Sequence, residues 1–395
     1  MNISNFKTFY EKVFGTVEEL YYSIAPGRAN IIGEHTDYNE GYVMPAAVSL
    51  VTASVGTKNN SNVVRVFSYN LESYKEFSLE NINIDFNAGW EKYIKGVILA
   101  LKRHGYEISG FNAIINSTVP IGGGLSSSAA LEVSILGLIK EIFELKMDQL
   151  TMIKITYEGE HDILGIQCGI MDQFISVLGK KHSALFIDTR TLDYEHIPFK
   201  SKDIKIVLVD SMVRHEASQI LNVRKMECQR AVEIINSKTK FKIKALRDVT
   251  PDIFQEIKDI LPTTIRKRVE HVVYENQRVL IAKDAIKNGN WKLLRKIMLE
   301  GHKSCAELYE VSIPELDFLV EMAYRIDGVI GSRLTGAGLG GNTINLVLKD
   351  NIEPFVMKIK KLYLERFKIE PRIIITDPSQ GVNYGNIHET NFQDF

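Results

Sequence analysis

The sequence predicts an α+β protein of two domains, and three observations carry that prediction. The chain has 395 residues, more than one hydrophobic core usually supports. Its first half alternates Val-rich runs with stretches whose apolar residues recur at three and four positions, the periods of strand and amphipathic helix. Its second half sets long helical patterns between apolar runs at 204–210 and 372–376. That order packs helices on a mainly antiparallel sheet. The expected domains are 1–200 and 201–395. No Pro- or Gly-rich linker separates them, so a shared interface and a cleft are expected.

The elements follow in order. Residues 1–20 mix Lys, Glu, Phe and Tyr at helical spacing and lack the apolar core of a signal peptide. Runs 42–56 and 62–68, with the turn residues Asn59, Asn60 and Ser61 between them, predict a hairpin. Helical spacing marks 90–104, 129–144 and 148–164, the last ending before Gly165. Segments 174–177 and 184–187 are short elements leading to a polar turn at 188–196. After the strand at 204–210, helices are predicted at 216–237, 264–288 and 290–300. A strand at 345–348, a helix at 352–368 and a strand at 372–376 close the chain.

Composition narrows the function. Lys plus Arg total 48 against 49 Asp plus Glu, so the basic excess of a nucleic-acid binder is missing. No run reaches about 18 uninterrupted apolar residues, the length that spans a membrane. Cys168, Cys228 and Cys305 are odd in number and far apart, which fits neither a disulfide framework nor a metal cluster. Reduced thiols and the missing signal peptide predict a cytoplasmic protein.

Chemistry concentrates in four segments. At 120–131 an apolar run meets Gly122, Gly123 and Gly124, then Leu125, Ser126, Ser127 and Ser128, then the start of a helical pattern. Glycines let backbone approach a bound group, and a helix start offers free N–H groups to phosphate. The alternative is a flexible turn, since a lysine of the Walker type is absent. Segment 25–48 crowds Arg28, Glu34, His35 and Asp37 among glycines, donors and acceptors suited to a polyhydroxylated ligand. The alternative there is a polar surface loop. Segment 157–178 carries Glu160 and then Asp172, either a helix cap or a site carboxylate. Segment 331–343 is a second glycine-rich stretch, beside a ligand or simply a hairpin turn.

Together the four segments resemble the galactokinases of the GHMP small-molecule kinase superfamily. GEHTDYN at 33–39 is similar to the family's sugar-binding signature, GGGLSSSAA at 122–130 to its phosphate loop, GIMDQF at 169–174 to its catalytic segment and GSRLTGAGLGG at 331–341 to its third motif. The resemblance implies a two-domain α+β fold with the active site between the domains. It implies ATP-dependent phosphorylation of D-galactose to α-D-galactose 1-phosphate, which begins galactose utilisation by the Leloir pathway. Glu34, His35, Thr36 and Asp37 would form the sugar pocket. Gly122 to Ser128 would wrap the ATP phosphates, and Ser128 and Glu160 would hold Mg²⁺. Asp172 would face the anomeric hydroxyl, with Arg28 beside it and the transferred phosphoryl group. Ser68 and Trp90 fall where the family contacts or flanks adenine. Galactose and ATP are thus the expected partners, with the chain a monomer or a homodimer.

One departure stands out. The family's Tyr-Asn-x-Arg-Arg segment corresponds here to Leu221-Asn222-Val223-Arg224-Lys225, so Leu221 replaces a tyrosine that touches the sugar. Losing one such hydrogen bond costs about 0.5–1.5 kcal/mol, roughly up to tenfold in affinity. Residues 222–228, Asn-Val-Arg-Lys-Met-Glu-Cys, follow the N-acetylgalactosamine kinase version, which makes that sugar the alternative substrate. A sugar-sensing regulator without catalysis is a third reading, but the Ser126 to Ala130 stretch that such relatives lack is complete here.

Overall fold

The computed structural model describes residues 3–85, 89–199, 203–214 and 217–387. The strands are β1 (Tyr21–Ile32), β2 (Tyr42–Lys58), β3 (Val63–Ser68), β4 (Ser73–Ser78), β5 (Phe111–Ser117) and β6 (Ser183–Asp188). They continue as β7 (Tyr194–Pro198), β8 (Ile204–Asp210), β9 (Val329–Thr335), β10 (Asn342–Leu348), β11 (Arg372–Thr376) and β12 (Asn383–Asn386). The α-helices are α1 (Ile3–Phe14), α2 (Glu91–Arg103), α3 (Ser127–Ile142), α4 (Gln149–Glu158), α5 (Met171–Leu178) and α6 (Ala217–Lys238). After these come α7 (Pro251–Ile257), α8 (Thr263–Asn288), α9 (Trp291–Glu307), α10 (Pro314–Tyr324) and α11 (Ile352–Phe367). Among the described residues no helix is long and apolar enough to cross a membrane.

The strands form two sheets, which makes the fold α+β. The larger runs β12-β1-β2-β5-β3-β4, and β6 and β7 extend it from the start of β2. Only β3 and β5 pair in parallel within it. The smaller sheet, β11-β8-β10-β9, is antiparallel throughout. Strand β8 shows why its sequence is a near-continuous apolar run. Ile204, Ile206 and Leu208 join one apolar cluster with residues of α8 and α9. Val207 and Val209, on the opposite face, join another with residues of α10 and α11. A strand covered on both faces loses the polar half of the usual alternation.

Two local expectations are corrected and one is made specific. The runs at 42–56 and 62–68 are not hairpin partners: β5 lies between β2 and β3, and β3 turns back on β4 instead. Strand β5 carries apolar residues on both faces and so takes an interior place. Segment 174–177 belongs to helix α5, whose Met171, Phe174, Ile175 and Leu178 are buried at helical spacing. The helix predicted at 148–164 ends as α-helix at Glu158 and continues as a π-helical turn over Gly159–Ile163. Such turns are often found at functional sites.

Candidate active site

Strand β1 sets the geometry. Residues 25–32, for which a surface loop was one reading, form its buried second half. Register shifts interrupt its pairing with β2 between Pro26 and Arg28 and between Asn30 and Ile32. Bulges of this kind re-aim side chains. Here they accompany Arg28 and Asn30, which both line a cavity shared with Glu34, His35, Asp37, Asp172, Leu221 and Gly336.

Arg28 and Asp172 meet at the floor of that cavity. Arg28 Nε donates to Asp172 Oδ1 at 2.9 Å, and Nη2 donates to Oδ2 at 3.1 Å. Arg28 Nη1 donates to the Gly124 carbonyl, and the Ser126 hydroxyl donates to Asp172 Oδ2. Asp172 lies in the first turn of α5 but does not cap it, because the cap position is Ile170 and has no side-chain bond. Of the two roles open in the sequence, the site carboxylate is the one the geometry supports. The side chain of Asp172 stays 23% exposed, enough to be reached from the cavity.

The 33–39 segment is buried rather than a surface loop. Glu34 Oε2 accepts from Asn30 Nδ2 at 2.6 Å, and Oε1 accepts from the Gly336 N–H at 3.0 Å. Burial pushes Glu34 up to about 7, against the pull of Arg333. His35 adopts φ 64°, and its Nδ1 lies 2.8 Å from the Tyr38 hydroxyl. Burial drives His35 down to about 3, so its ring is neutral at working pH. Asp37 begins a short 3₁₀ turn, and burial with the nearby Asp172 charge pushes it up to about 6. Thr36 does not line the cavity. Its hydroxyl bonds the carbonyls of Gly33 at 2.9 Å and Tyr42 at 2.6 Å, fixing the turn that presents its neighbours.

The Gly-Ser segment joins this floor to helix α3. Gly122 and Gly124 have φ of 67° and 72°, which glycine adopts freely. Gly123 packs on Gly341 of the third motif, and Nδ2 of Asn342, which follows it, donates to the Gly123 carbonyl at 2.5 Å. Leu125 is fully buried, and its carbonyl accepts the Arg28 N–H at 3.1 Å. Ser126 sits at the cap of α3 without a side-chain capping bond, and the helix has no acid in its first turn. Ser127 and Ser128 begin that helix. Its N-terminal end therefore remains available to an anion.

Glu160, on the π-helical turn, is buried, and its Oε2 accepts from Gln173 Nε2 at 2.7 Å. Burial pushes it up to about 7, while hydrogen bonds from Ser128 and Gln173 oppose the rise. Ser128, Glu160 and Asp172 thus share one neighbourhood at the start of α3. Ser68 closes β3 and Trp90 precedes α2, and neither is among the residues that line the cavity.

Several lining residues have no role assigned from the sequence. Asn30 and Tyr38 sit inside the 25–48 segment, and Cys168 and Gly169 immediately precede Asp172. Gln167 also faces the cavity, and Lys225 Nζ donates to its Oε1 at 2.6 Å from α6. A scan for acids and bases passes over an amide and a thiol. The 331–343 stretch holds the turn between β9 and β10, and its Gly336 and Ala337 line the cavity.

Known proteins match this arrangement. The galactokinase galactose-binding signature matches residues 8–58, the GHMP kinases N terminal domain residues 92–180 and the GHMP kinases C terminal family residues 282–358. A galactokinase of Thermotoga neapolitana is 39% identical over 360 residues, covering 91% of this chain and 98% of that protein. One from Clostridium acetobutylicum is 38% identical over 381 residues, 95% of each chain. The crystal structure of Lactococcus lactis galactokinase complexed with galactose superposes with TM-score 0.92 at 33% identity, covering 96% of this chain and 99% of that one. A Methanococcus jannaschii mevalonate kinase, 20% identical with TM-score 0.65, shares the fold. With three of its four signature segments meeting at one cavity and galactokinase relatives matched along nearly its whole length, the chain belongs to the galactokinase family of the GHMP kinases.

Proposed function

We propose that the protein transfers the γ-phosphoryl group of ATP to the anomeric hydroxyl of D-galactose, giving α-D-galactose 1-phosphate and ADP. The observation that carries this reading is the bidentate Arg28–Asp172 pair beside Glu34, His35 and Asp37 in one cavity. Glu34 and Asp37 supply acceptors and neutral His35 a further polar contact for a sugar's ring of hydroxyls. Asp172 accepts the hydrogen of the attacking hydroxyl and aligns its oxygen. Arg28 fixes Asp172 and brings a planar fork to the oxygens on which charge develops. The loop Gly122 to Ser128 wraps the phosphates at the start of α3, and Ser68 and Trp90 stand toward the adenine.

Mg²⁺ fits the donor set at Ser128 and Glu160. One hydroxyl and one carboxylate provide hard oxygen ligands, and this ion keeps waters and takes few protein groups. When bound, it neutralises phosphate charge. The expected division near residue 200 is supported by the break between the two sheets, with β12 returning to the first. Three free thiols favour a cytoplasmic setting.

Coupled detection of ADP from purified protein, ATP, Mg²⁺ and galactose tests the assignment, with product stereochemistry read by NMR. Faster turnover of N-acetylgalactosamine would transfer the assignment to that sugar. The galactokinase relatives do not favour that outcome.

A further inference from the structure

We infer that Arg333, carried by β9, is a positioning residue that holds Glu34 correctly aimed for the sugar, with Glu275 of α8 as its anchor. The inference rests on the proposed role of Glu34 in the sugar pocket. Arg333 and Glu275 are completely buried. Arg333 Nη1 donates to Glu275 Oε1 at 2.7 Å, while Nη2 lies 3.5 Å from Glu34 Oε2. The other Glu275 oxygen accepts from Arg278 Nε at 2.6 Å. Glu275 Oε1 also accepts the Gly33 N–H at 3.0 Å and the Glu34 N–H at 3.4 Å. One carboxylate on α8 therefore grips both the guanidinium behind Glu34 and the backbone that carries Glu34. Helix α9 leaves room for it: a Cβ on Gly301 would lie 2.6 Å from Arg333 Nη1.

The charges explain the arrangement. Two carboxylates and two guanidiniums form a neutral buried set, and an unpaired member would be a costly isolated charge. The groups around Glu34 are Arg28 on β1, His35 beside it, His271, Glu275 and Arg278 on α8, Cys305 on α9 and Arg333. Burial drives His35 and His271 down to about 3 and about 4, so neither is charged at working pH. Burial pushes the Cys305 thiol up to about 12, so it stays neutral as well. Arg333 is the strongest influence opposing the effect of burial on Glu34, ahead of Arg28.

Steady-state kinetics of the full chain between pH 5.5 and 8.5 test this, for wild type, Arg333→Lys, Glu34→Gln and the charge-balanced double variant Arg333→Met/Glu275→Gln. Thermal melting is recorded for each. In wild type the sugar KM should rise as pH falls through about 7, where Glu34 takes up a proton. Arg333→Lys and the double variant should each raise the sugar KM roughly tenfold or more and move that acid limb to higher pH. Their kcat and ATP KM should change by less than about threefold. Glu34→Gln should raise the sugar KM and remove the component near 7, leaving only the lower limb of Asp37 at about 6. An unchanged sugar KM in Glu34→Gln would remove Glu34 from the sugar pocket. A raised KM there, with neither KM nor limb altered in the Arg333 variants, would overturn the inference alone. So would proportional loss in kcat and both KM values, or failure of both Arg333 variants to fold, since Arg333 would then act only as core.

Discussion

At the residue scale, the site is a small set of polar side chains whose partners define their tasks. Asp172 spends one oxygen on Arg28 Nε and the other on Arg28 Nη2 and Ser126. Replacing it with Asn keeps the shape but loses the charge that accepts the hydroxyl proton. Asp172→Asn should lower kcat by about 10²–10⁴, the usual weight of acid–base help, with the ATP Kd within a few-fold. Single-turnover kinetics and nucleotide titration check both halves, and unchanged turnover would remove Asp172 from its role. Leu221 presents an apolar surface to the cavity where relatives of the Tyr-Asn-x-Arg-Arg type offer a hydroxyl. Leu221→Tyr should lower the galactose KM by up to about tenfold, the worth of one hydrogen bond. It should also reduce turnover of the bulkier N-acetylgalactosamine, which a competition assay reads directly.

At the scale of elements, the positions of short turns matter more than the helices they join. The connection from the π-helical turn into α5 runs so close to the 3₁₀ turn that a Cβ on Gly169 would lie 1.8 Å from Asp37 Oδ2. No L side chain fits there without moving one turn. Gly169→Ala should therefore raise the sugar KM about tenfold or more by displacing Asp37, a contact effect of 1–3 kcal/mol in size. The folded far-UV signal should be preserved, because neither Gly169 nor Asp37 belongs to an apolar cluster. A KM equal to that of wild type would show that the connection has slack. Helix α3 acts at the same scale: its buried face anchors it in the core, while the serines at its start meet Asp172 and Glu160.

At the scale of the whole molecule, the cavity joins side chains from the segments Arg28 to Tyr38 and Gln167 to Asp172, though not Thr36, to Leu221 and to Gly336 and Ala337. A ligand there should stabilise the chain as a unit, by about 2.7 kcal/mol at a hundred times its Kd. The gain should depend on pH. Glu34, Asp37 and Glu160 take folded values of about 7, about 6 and about 7, above their ordinary values near 4. Between those limits the folded chain holds protons that the unfolded chain has released, so these three groups lower stability as pH rises through the window. A sugar that donates hydrogen bonds to Glu34 and Asp37 favours their ionised forms. The melting shift produced by galactose should therefore be larger at pH 8 than at pH 5.5. An equal shift at both pH values would mean that these carboxylates do not bind the sugar.

The chain's own order of residues determined the fold class, most helices and the four segments that carry chemistry, because periodicity and glycine placement are local properties. Helices α2, α3, α8 and α9 lie within a few residues of the periodic runs, apart from a longer C-terminal end of α9. Residues 25–32 were legible as polar chemistry but not as a buried strand, since the cover over Arg28 and Asn30 comes from residues far along the chain. The interior place of β5 and the clasp of Glu275 and Arg333 on Glu34 were likewise invisible. Pairing partners and buried charge neutralisation depend on which distant segments meet, and only close packing of the two sheets decides that.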